Sequence, residues 1–113
     1  MQLHTEQQDN LMVVSLSGQM DNVATPAFDQ LIHVLLKKHT WRLILDLSEL
    51  TAINSAGLYS LLTACRMVRQ GQKGQLAICG VKEEVRQLFE VSGLLRLPSI
   101  YPDLATARMS LAT

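Results

Sequence analysis

The stretch from Leu43 to Val68, LILDLSELTAINSAGLYSLLTACRMV, constrains the fold more than any other part of the chain. Its first residues form a nearly continuous apolar run, which is typical of a strand buried on both faces: Leu43, Ile44, Leu45 and Leu47. Further along, apolar residues recur three or four positions apart, as on the buried face of an amphipathic helix: Leu58, Leu61, Leu62, Cys65 and Val68. A buried strand followed at once by such a helix indicates an α/β fold.

The N-terminal part of the chain predicts a hairpin followed by a helix. Two short strands are expected at Leu3–Thr5 and Leu11–Ser17, joined by a polar turn over residues 6–10. Gly18 is expected to end the second strand, and residues 19–24 to form a loop. Thr25 and Pro26 then indicate the start of a helix, with threonine as the N-cap and proline at the first helical position.

The remaining elements alternate between strand and helix. After a central strand at Trp41–Leu47 we expect a helix from Ser55 to about Arg69, a strand at Gln75–Cys79, a helix near Lys82–Ser92 that ends at Gly93, a strand at Ile100–Tyr101, and a helix at Leu104–Leu111 capped by Asp103. In the helix near Lys82–Ser92, the residues expected to point inward are Val85, Leu88, Phe89 and Val91. This β-β-α-β-α-β-α-β-α order predicts one mostly parallel sheet of about five strands, with an opening antiparallel hairpin and about four helices.

Composition narrows the class of protein. A chain of 113 residues with 48% hydrophobic content is expected to fold as one domain spanning residues 1–113. Ten basic and ten acidic residues cancel, so the sequence lacks the basic footprint of a nucleic-acid-binding protein. No apolar run approaches the roughly 20 residues that cross a bilayer, and the polar N-terminus is unlike a secretory signal. We therefore expect a cytoplasmic protein without direct membrane insertion.

Residues with catalytic or metal-binding chemistry are scattered. His4, His33 and His39 cannot be linked by sequence to a nucleophile, and no phosphate-binding loop, dinucleotide motif or metal-ligand spacing occurs. Cys65 and Cys79 have no C-x-x-C spacing and are expected to be reduced core thiols. The sequence therefore predicts no catalytic residue, no cofactor and no metal site.

The carboxyl ends of the parallel strands are the expected place for a functional site. Three loops should converge there, at Gly18–Val23, Ser48–Ser55 and Gly80–Lys82, each followed by a helix N-terminus. Asp46, near the expected end of the central strand, is predicted to have a buried, hydrogen-bonded turn role. Ser55 places a hydroxyl directly at a helix start, where a phosphate would be tolerated beside the positive end of the helix dipole.

Two questions stay open from the residues alone. Ser55 or its neighbour Asn54 could serve only as the N-cap of the helix, without any switching role. The outer face of the same helix could bind a partner or simply face solvent; it carries Tyr59, Ser60, Thr63, Arg66 and Met67.

The longest motifs in the sequence resemble those of a known protein family. The pattern LILDLSELTAINSAGLYSLL, preceded by LSGQMD and followed by QLAICGV, resembles a STAS domain of the anti-sigma factor antagonist type. The similarity spans nearly the whole chain, including the hairpin, the L-x-G-x-x-D loop at Leu16–Asp21 and the DLS segment at Asp46–Ser48. It also includes a motif similar to D-S-x-G at Asn54–Gly57.

The resemblance implies a protein-interaction module that is switched by phosphorylation and is not an enzyme. In such systems the unphosphorylated domain binds an anti-sigma factor that is a serine kinase with a histidine-kinase-like ATPase fold, and a serine phosphatase reverses the phosphorylation. The phosphorylated residue of the family falls on Ser55. The partner-binding residues implied are Asp21, Asn22, Thr25, Asn54, Ser55, Ala56, Gly57, Leu58 and Tyr59.

One departure from the family pattern supports an alternative function. The family commonly has aspartate before the serine, whereas this chain has Asn54, which keeps the capping hydrogen bonds but lacks the charge. The alternative is a STAS subunit of a lipid-transporting ABC system, which is not phosphorylated. A solvated sheet edge or helix face would also allow pairing in a homodimer.

Overall fold

A strand of twelve residues, β3, lies at the centre of the sheet. The computed structural model describes residues 1–8, 11–39, 42–70, 74–92 and 100–111. Its elements are β1 (Gln2–Gln8), β2 (Leu11–Met20), α1 (Thr25–Lys37), β3 (Arg42–Ile53), α2 (Ser55–Gln70), β4 (Gln75–Cys79), α3 (Glu83–Ser92), β5 (Ile100–Tyr101) and α4 (Leu104–Leu111). This order of strands and helices confirms the predicted one.

The described strands form one mixed sheet with the order β1-β2-β3-β4-β5. Strands β1 and β2 pair antiparallel, with Leu3 opposite Leu16, and the other neighbouring strands pair in parallel. The predicted parallel sheet with an opening hairpin is therefore confirmed. The described part of the chain contains no helix long and apolar enough to cross a membrane.

Helices cover both faces of the sheet, which explains the continuous apolar run in β3. The larger core lies under α1, α2 and α3, and its bulkiest members include Phe28, Leu45, Leu61 and Phe89. The smaller core lies on the opposite face under α4: Val13, Ile44, Ala77, Cys79, Ala107 and Leu111. Because successive strand residues point to opposite faces, Leu45 and its neighbour Ile44 belong to different cores.

Strands β2 and β3 are longer than predicted. Strand β2 continues through Gly18, which has a φ of +87°, to Met20, and β3 continues past Leu47 to Ile53. The prediction that they end at Gly18 and Leu47 is wrong because the two strands go on pairing with each other, with register shifts that absorb the glycine and the polar residues. Continued pairing satisfies backbone groups that would otherwise need other partners.

Smaller corrections concern β1 and α3. Strand β1 runs to Gln8 rather than Thr5, so residues 6–8, which were predicted to be part of the turn, belong to the strand. The other two residues of the predicted turn, 9 and 10, lie outside the described residues. In α3, Val85 and Phe89 are buried as predicted, but Leu88 is exposed and Val91 is 88% exposed. This short helix therefore buries a narrow stripe four residues apart. The predicted helix end at Gly93 and strand start at Trp41 lie outside the described residues.

The two cysteines are free and buried, as the sequence predicted. Burial raises the pKa of the Cys65 thiol to about 11. Burial, together with the negative charges of Asp46 and Asp103, raises the pKa of Cys79 to about 12. Both thiols therefore stay protonated near neutral pH, which disfavours their oxidation and alkylation.

We expect both thiols to react with a thiol reagent at pH 8 at least about a hundredfold more slowly in the folded protein than in denaturant, since a pKa two to three units higher leaves correspondingly less thiolate. Absorbance at 412 nm with Ellman's reagent measures both rates, and Cys65→Ala separates the contribution of Cys79. Full modification of the native protein at the unfolded rate would contradict the burial of these side chains.

Candidate functional site

Asn54 joins the end of β3 to the start of α2. Its side-chain Oδ1 accepts a hydrogen bond from the Gly57 N–H at 3.0 Å, which makes Asn54 the N-cap of the helix. Its backbone N–H donates to the carbonyl of Met20 at 3.2 Å, which ties this junction to the end of β2. Of the two residues considered for the cap, Asn54 therefore takes the role, and Ser55 does not.

Ser55 is the first residue of α2 and is exposed to solvent. Its hydroxyl makes no hydrogen bond to any other residue in the described ranges, because capping is already provided by Asn54. The first turn of α2 carries no acidic residue. The hydroxyl therefore stands at the positive end of the helix dipole without a nearby acidic side chain from its own turn.

Gly57 allows α2 to approach the sheet closely. A Cβ atom at this position would lie 2.5 Å from Cγ1 of Ile53 and 2.7 Å from the carbonyl oxygen of Met20. Both distances are shorter than any ordinary contact, so only glycine fits here without a shift of the helix. The close packing fixes Ser55 and the first turn of α2 against the end of β2.

The loop after β2 is shaped by Asp21. One carboxylate oxygen, Oδ1, accepts hydrogen bonds from the N–H groups of Val23 and Ala24, both at 3.0 Å. The carbonyl of Asp21 also accepts from the N–H of Ala24 and of Thr25. The predicted N-cap role of Thr25 is wrong: the N-cap is Ala24, which makes no side-chain cap bond, and Thr25 lies inside the helix at 8% exposure.

The three expected loops do not converge at one place. A Cβ atom on Gly80 would lie 2.9 Å from the Cβ of Ser48, so the third loop sits beside the middle of β3. From Ser48 the chain runs on to Asn54 in extended conformation, a distance of roughly 20 Å at about 3.3 Å per residue. The prediction of three converging loops is therefore wrong, because β3 extends well past β4.

Asp46 does not occupy a turn. It lies inside β3, half-buried, and its Oδ1 accepts a hydrogen bond from the Ser48 N–H at 3.0 Å. The predicted hydrogen-bonded role of Asp46 is confirmed, but the predicted turn is wrong, because β3 continues past this residue. By contrast, Asp103 caps α4 as predicted, and its Oδ1 accepts from the Thr106 N–H, which lowers the pKa of the Asp103 carboxyl.

The residues predicted to bind a partner fall into three groups by their exposure to solvent. Four are exposed: Asn22, Asn54, Ser55 and Tyr59. Three are half-buried, namely Asp21, Ala56 and Leu58, and the two remaining residues, Thr25 and Gly57, are buried. The structure thus brings the loop after β2 and the first turn of α2 together, with the two buried residues underneath.

Two features beside this site were not predicted from the sequence. Val23, in the loop after β2, is 84% exposed and adds an apolar group to the surface. An apolar residue within a predicted loop was the feature of the sequence that could have indicated this exposed position. A cleft of about 250 Å³ also lies between α1 and α2, lined by Asp29, Ile32, His33, Tyr59, Ser60, Thr63, Ala64 and Met67. No sequence pattern indicates the cleft, because it depends on how two helices are placed.

The residues predicted to form the outer face of α2 differ in their exposure to solvent. Tyr59 is 67% exposed and Arg66 is exposed, whereas Ser60 is buried at the base of the cleft. Across the described ranges, no three or more His, Cys, Asp or Glu side chains are placed to hold a metal ion. The chemistry offered here is a hydroxyl, amides and a phenol ring, which suits recognition of another surface.

The family of this chain is shown by its similarity to known proteins. The family model for the STAS domain matches residues 2–107. The chain belongs to the STAS domain family. BtrV of Bordetella bronchiseptica, a protein assigned as an anti-sigma factor antagonist, is 33% identical over 102 residues, covering 90% of this chain and 84% of that protein.

Solved structures agree with this assignment of the fold. An anti-sigma factor antagonist from Mycobacterium paratuberculosis matches with a TM-score of 0.89 and 26% identity over 97% of this STAS chain and 92% of the other. The Bacillus cell fate determinant SpoIIAA in its phosphorylated form matches with a TM-score of 0.76 over 96% and 97% of the two chains. At 18% identity, this second similarity shows the fold alone. Relatives of this kind are named as regulatory proteins rather than enzymes.

The capping role of Asn54 predicts a loss of stability on truncation. We expect Asn54→Ala to lower the free energy of unfolding by about 1 kcal/mol, because the Gly57 N–H loses its partner. Asn54→Asp keeps an oxygen acceptor at the same place and is expected to stay within about 0.5 kcal/mol of the parent protein. Urea denaturation of both variants measures the difference, and equal stabilities would refute the capping role.

The close approach at Gly57 predicts a larger effect. Gly57→Ala should destabilise the fold by about 1–3 kcal/mol, because the added methyl group meets a backbone carbonyl that cannot turn away. The matched control is Ala56→Gly, which removes a methyl group one residue earlier and should cost less than about 1 kcal/mol. A Gly57→Ala protein as stable as its parent would show that α2 can move freely off β2.

Proposed function

We propose that the protein is an anti-sigma factor antagonist: it binds an anti-sigma factor while Ser55 is unmodified, and phosphorylation of Ser55 weakens the complex. The observation that carries the proposal is the exposed hydroxyl of Ser55 at the start of a helix that Asn54 already caps. The family and the names of the relatives, anti-sigma factor antagonists, support the same function.

The binding surface proposed here is called the Ser55 surface. It comprises the exposed and half-buried residues of the loop after β2 and of the first turn of α2: Asp21, Asn22, Val23, Asn54, Ser55, Ala56, Leu58 and Tyr59. Thr25 and Gly57 support this surface from below because they are buried. Val23 and Tyr59 supply the apolar and aromatic area that the centre of a protein interface generally needs.

Phosphorylation would act on the complex more than on the fold. A phosphate adds about two negative charges, which the N-terminus of a helix without acidic residues in its first turn tolerates well. A partner surface packed on Ser55 would instead have to accommodate the phosphate volume and remove its water. The free energy of binding therefore changes while the folded domain persists, which is what a reversible switch requires.

The partners implied are a kinase and a phosphatase that reach the same hydroxyl. We propose that the anti-sigma factor is itself the serine kinase, with a histidine-kinase-like ATPase fold, and that a serine phosphatase restores the unmodified state. The small side chain of Ala56 leaves room for another backbone to approach the hydroxyl. Such a circuit operates in the cytoplasm.

Asn54 supports a second candidate, a constitutive STAS subunit of a lipid-transporting ABC system. Asn54 caps α2 through a neutral amide, so the site lacks the negative charge that usually precedes the modified serine of the family. In this function the Ser55 surface would bind an ATPase without being modified. The two candidates differ in whether phosphoserine forms at Ser55.

Affinity measurements on the purified protein and its cognate anti-sigma factor test the switch. We expect Ser55→Ala to bind about as tightly as the parent protein and Ser55→Asp to bind at least about tenfold more weakly, since a carboxylate would be desolvated in the interface. Ser110→Asp, an exposed serine on α4 at the opposite face of the sheet, is the matched control and should leave binding unchanged.

Intact-mass analysis of protein from its native cells gives the complementary readout. A gain of roughly 80 Da mapped to Ser55 is expected for a phosphorylated antagonist. Equal affinities for the alanine and aspartate variants would refute the switch. Co-purification with an ABC ATPase and an unmodified Ser55 would instead establish the second candidate.

A further inference from the structure

The two edges of the sheet are built differently. At one edge, β5 has two residues within the described part of the chain, Ile100 and Tyr101, and these offer little backbone for another strand to pair with. At the other edge, β1 has seven residues and is the terminal strand of the sheet. In a strand the backbone amide groups point alternately to its two sides, so every second residue of β1 directs its N–H and C=O away from β2.

Strand β1 lacks most of the features that usually protect an edge, although it carries one charged carboxylate, Glu6. Its sequence, QLHTEQQ, contains neither lysine nor proline. Its pairing with β2 is continuous from Gln2 to Gln8, whereas β2 and β3 show register shifts. A long, regular edge strand without such features is a template for the addition of another strand.

We propose that β1 pairs antiparallel with β1 of a second copy of this chain, about a two-fold axis that passes between the two Thr5 residues. In this register Gln2 faces Gln8, Leu3 faces Gln7, and His4 faces Glu6 of the other copy. The inference rests on the sheet edge alone and is independent of the function proposed for Ser55.

Backbone geometry limits the possible registers. A residue whose amide groups face outward must pair with a residue of the other copy whose amide groups also face outward. Because such residues alternate along the strand, the residue numbers of two paired residues must add up to an even number. A register centred on Glu6 would place two carboxylates directly opposite each other, which is unfavourable. A register centred on His4 would use only the part of β1 from Gln2 to Glu6.

The register centred on Thr5 is favoured by both length and charge. It uses the whole of β1 and pairs an imidazole with a carboxylate twice, once on each side of the axis. Within one chain, the Gln8 amide donates to Oε1 of Glu6 at 3.1 Å, and this bond keeps the carboxylate on the face that also carries His4. The second oxygen of Glu6 can then accept from the imidazole of the other copy.

The arrangement leaves the Ser55 surface accessible. Leu3 packs against the core under α1, α2 and α3, and a two-fold axis perpendicular to the sheet keeps those helices on the same side in both copies. Gln2 lies opposite Ser17, at the end of the sheet nearer to Ser55, so the two Ser55 surfaces fall at opposite ends of the pair. One strand pair buries less than the roughly 1,200 Å² of a stable complex, so we expect a concentration-dependent dimer.

Disulfide trapping tests the register. Thr5→Cys places two thiols opposite each other across the axis, within the Cα separation of about 4.4–6.8 Å that a disulfide requires. We expect mild oxidation of the purified protein to give a covalent dimer on non-reducing gels. The matched control is Gln2→Cys on the same edge, because its own copy lies on the order of 20 Å away in this register. It should cross-link only when mixed with Gln8→Cys.

Charge exchange tests the same pairing through side chains other than the introduced cysteine. In the Thr5→Cys background, His4→Glu puts like charges opposite each other twice and should lower the cross-linked fraction about tenfold. Adding Glu6→Lys to His4→Glu restores opposite charges and should recover the dimer. Circular dichroism and thermal melting check that each variant keeps the fold, since both positions are exposed.

Three outcomes would overturn the proposal. The first is Gln2→Cys alone cross-linking as well as Thr5→Cys, which indicates random collision. The second is failure of the His4→Glu, Glu6→Lys double variant to recover the dimer while it remains folded. The third is a Thr5→Cys protein that stays monomeric in pure form at high concentration but cross-links to a different protein in cell extract, which assigns the edge to a foreign strand.

Discussion

The contact between the start of α2 and the end of β2 holds the Ser55 surface in place. The side chain of Asn54 accepts a hydrogen bond from the Gly57 N–H, and its backbone N–H donates to the carbonyl of Met20. Because Gly57 has no side chain, the helix packs directly on the same Met20 carbonyl. Neither bond alone would position a side chain, since one sets only the helix start and the other only the strand end. Together they hold Ser55 against the loop that Asp21 organises.

This arrangement separates the stability of the domain from the chemistry of its surface. Capping, close packing and the core are provided by residues that are buried or bonded within the chain, whereas the Ser55 hydroxyl has no structural task among the described residues. A charge added there meets a favourable helix dipole and no acidic neighbour in its own turn. A modification can therefore alter recognition at little cost to the fold.

Much of the fold followed from patterns with clear physical causes. The alternation of strand and helix, the α2 stripe from Leu58 to Val68 and the Asp103 cap were predicted, because periodicity and capping chemistry act over a few neighbouring residues. The ends of β2 and β3 were not predicted. Gly18 and Ser48 look like strand ends locally, but pairing between the two strands outweighs that local signal.

The kinds of element, their order and the position of Ser55 at a helix start could be predicted from the residues, since these depend on local hydrogen bonds and on hydrophobic spacing. Three features became evident only in the folded chain: which residue caps α2, which two loops meet at Ser55, and that Thr25 lies beneath the surface rather than on it. These outcomes depend on how far β3 extends beyond β4 and how closely Gly57 lets α2 approach. Both depend on contacts between segments that are distant in the chain.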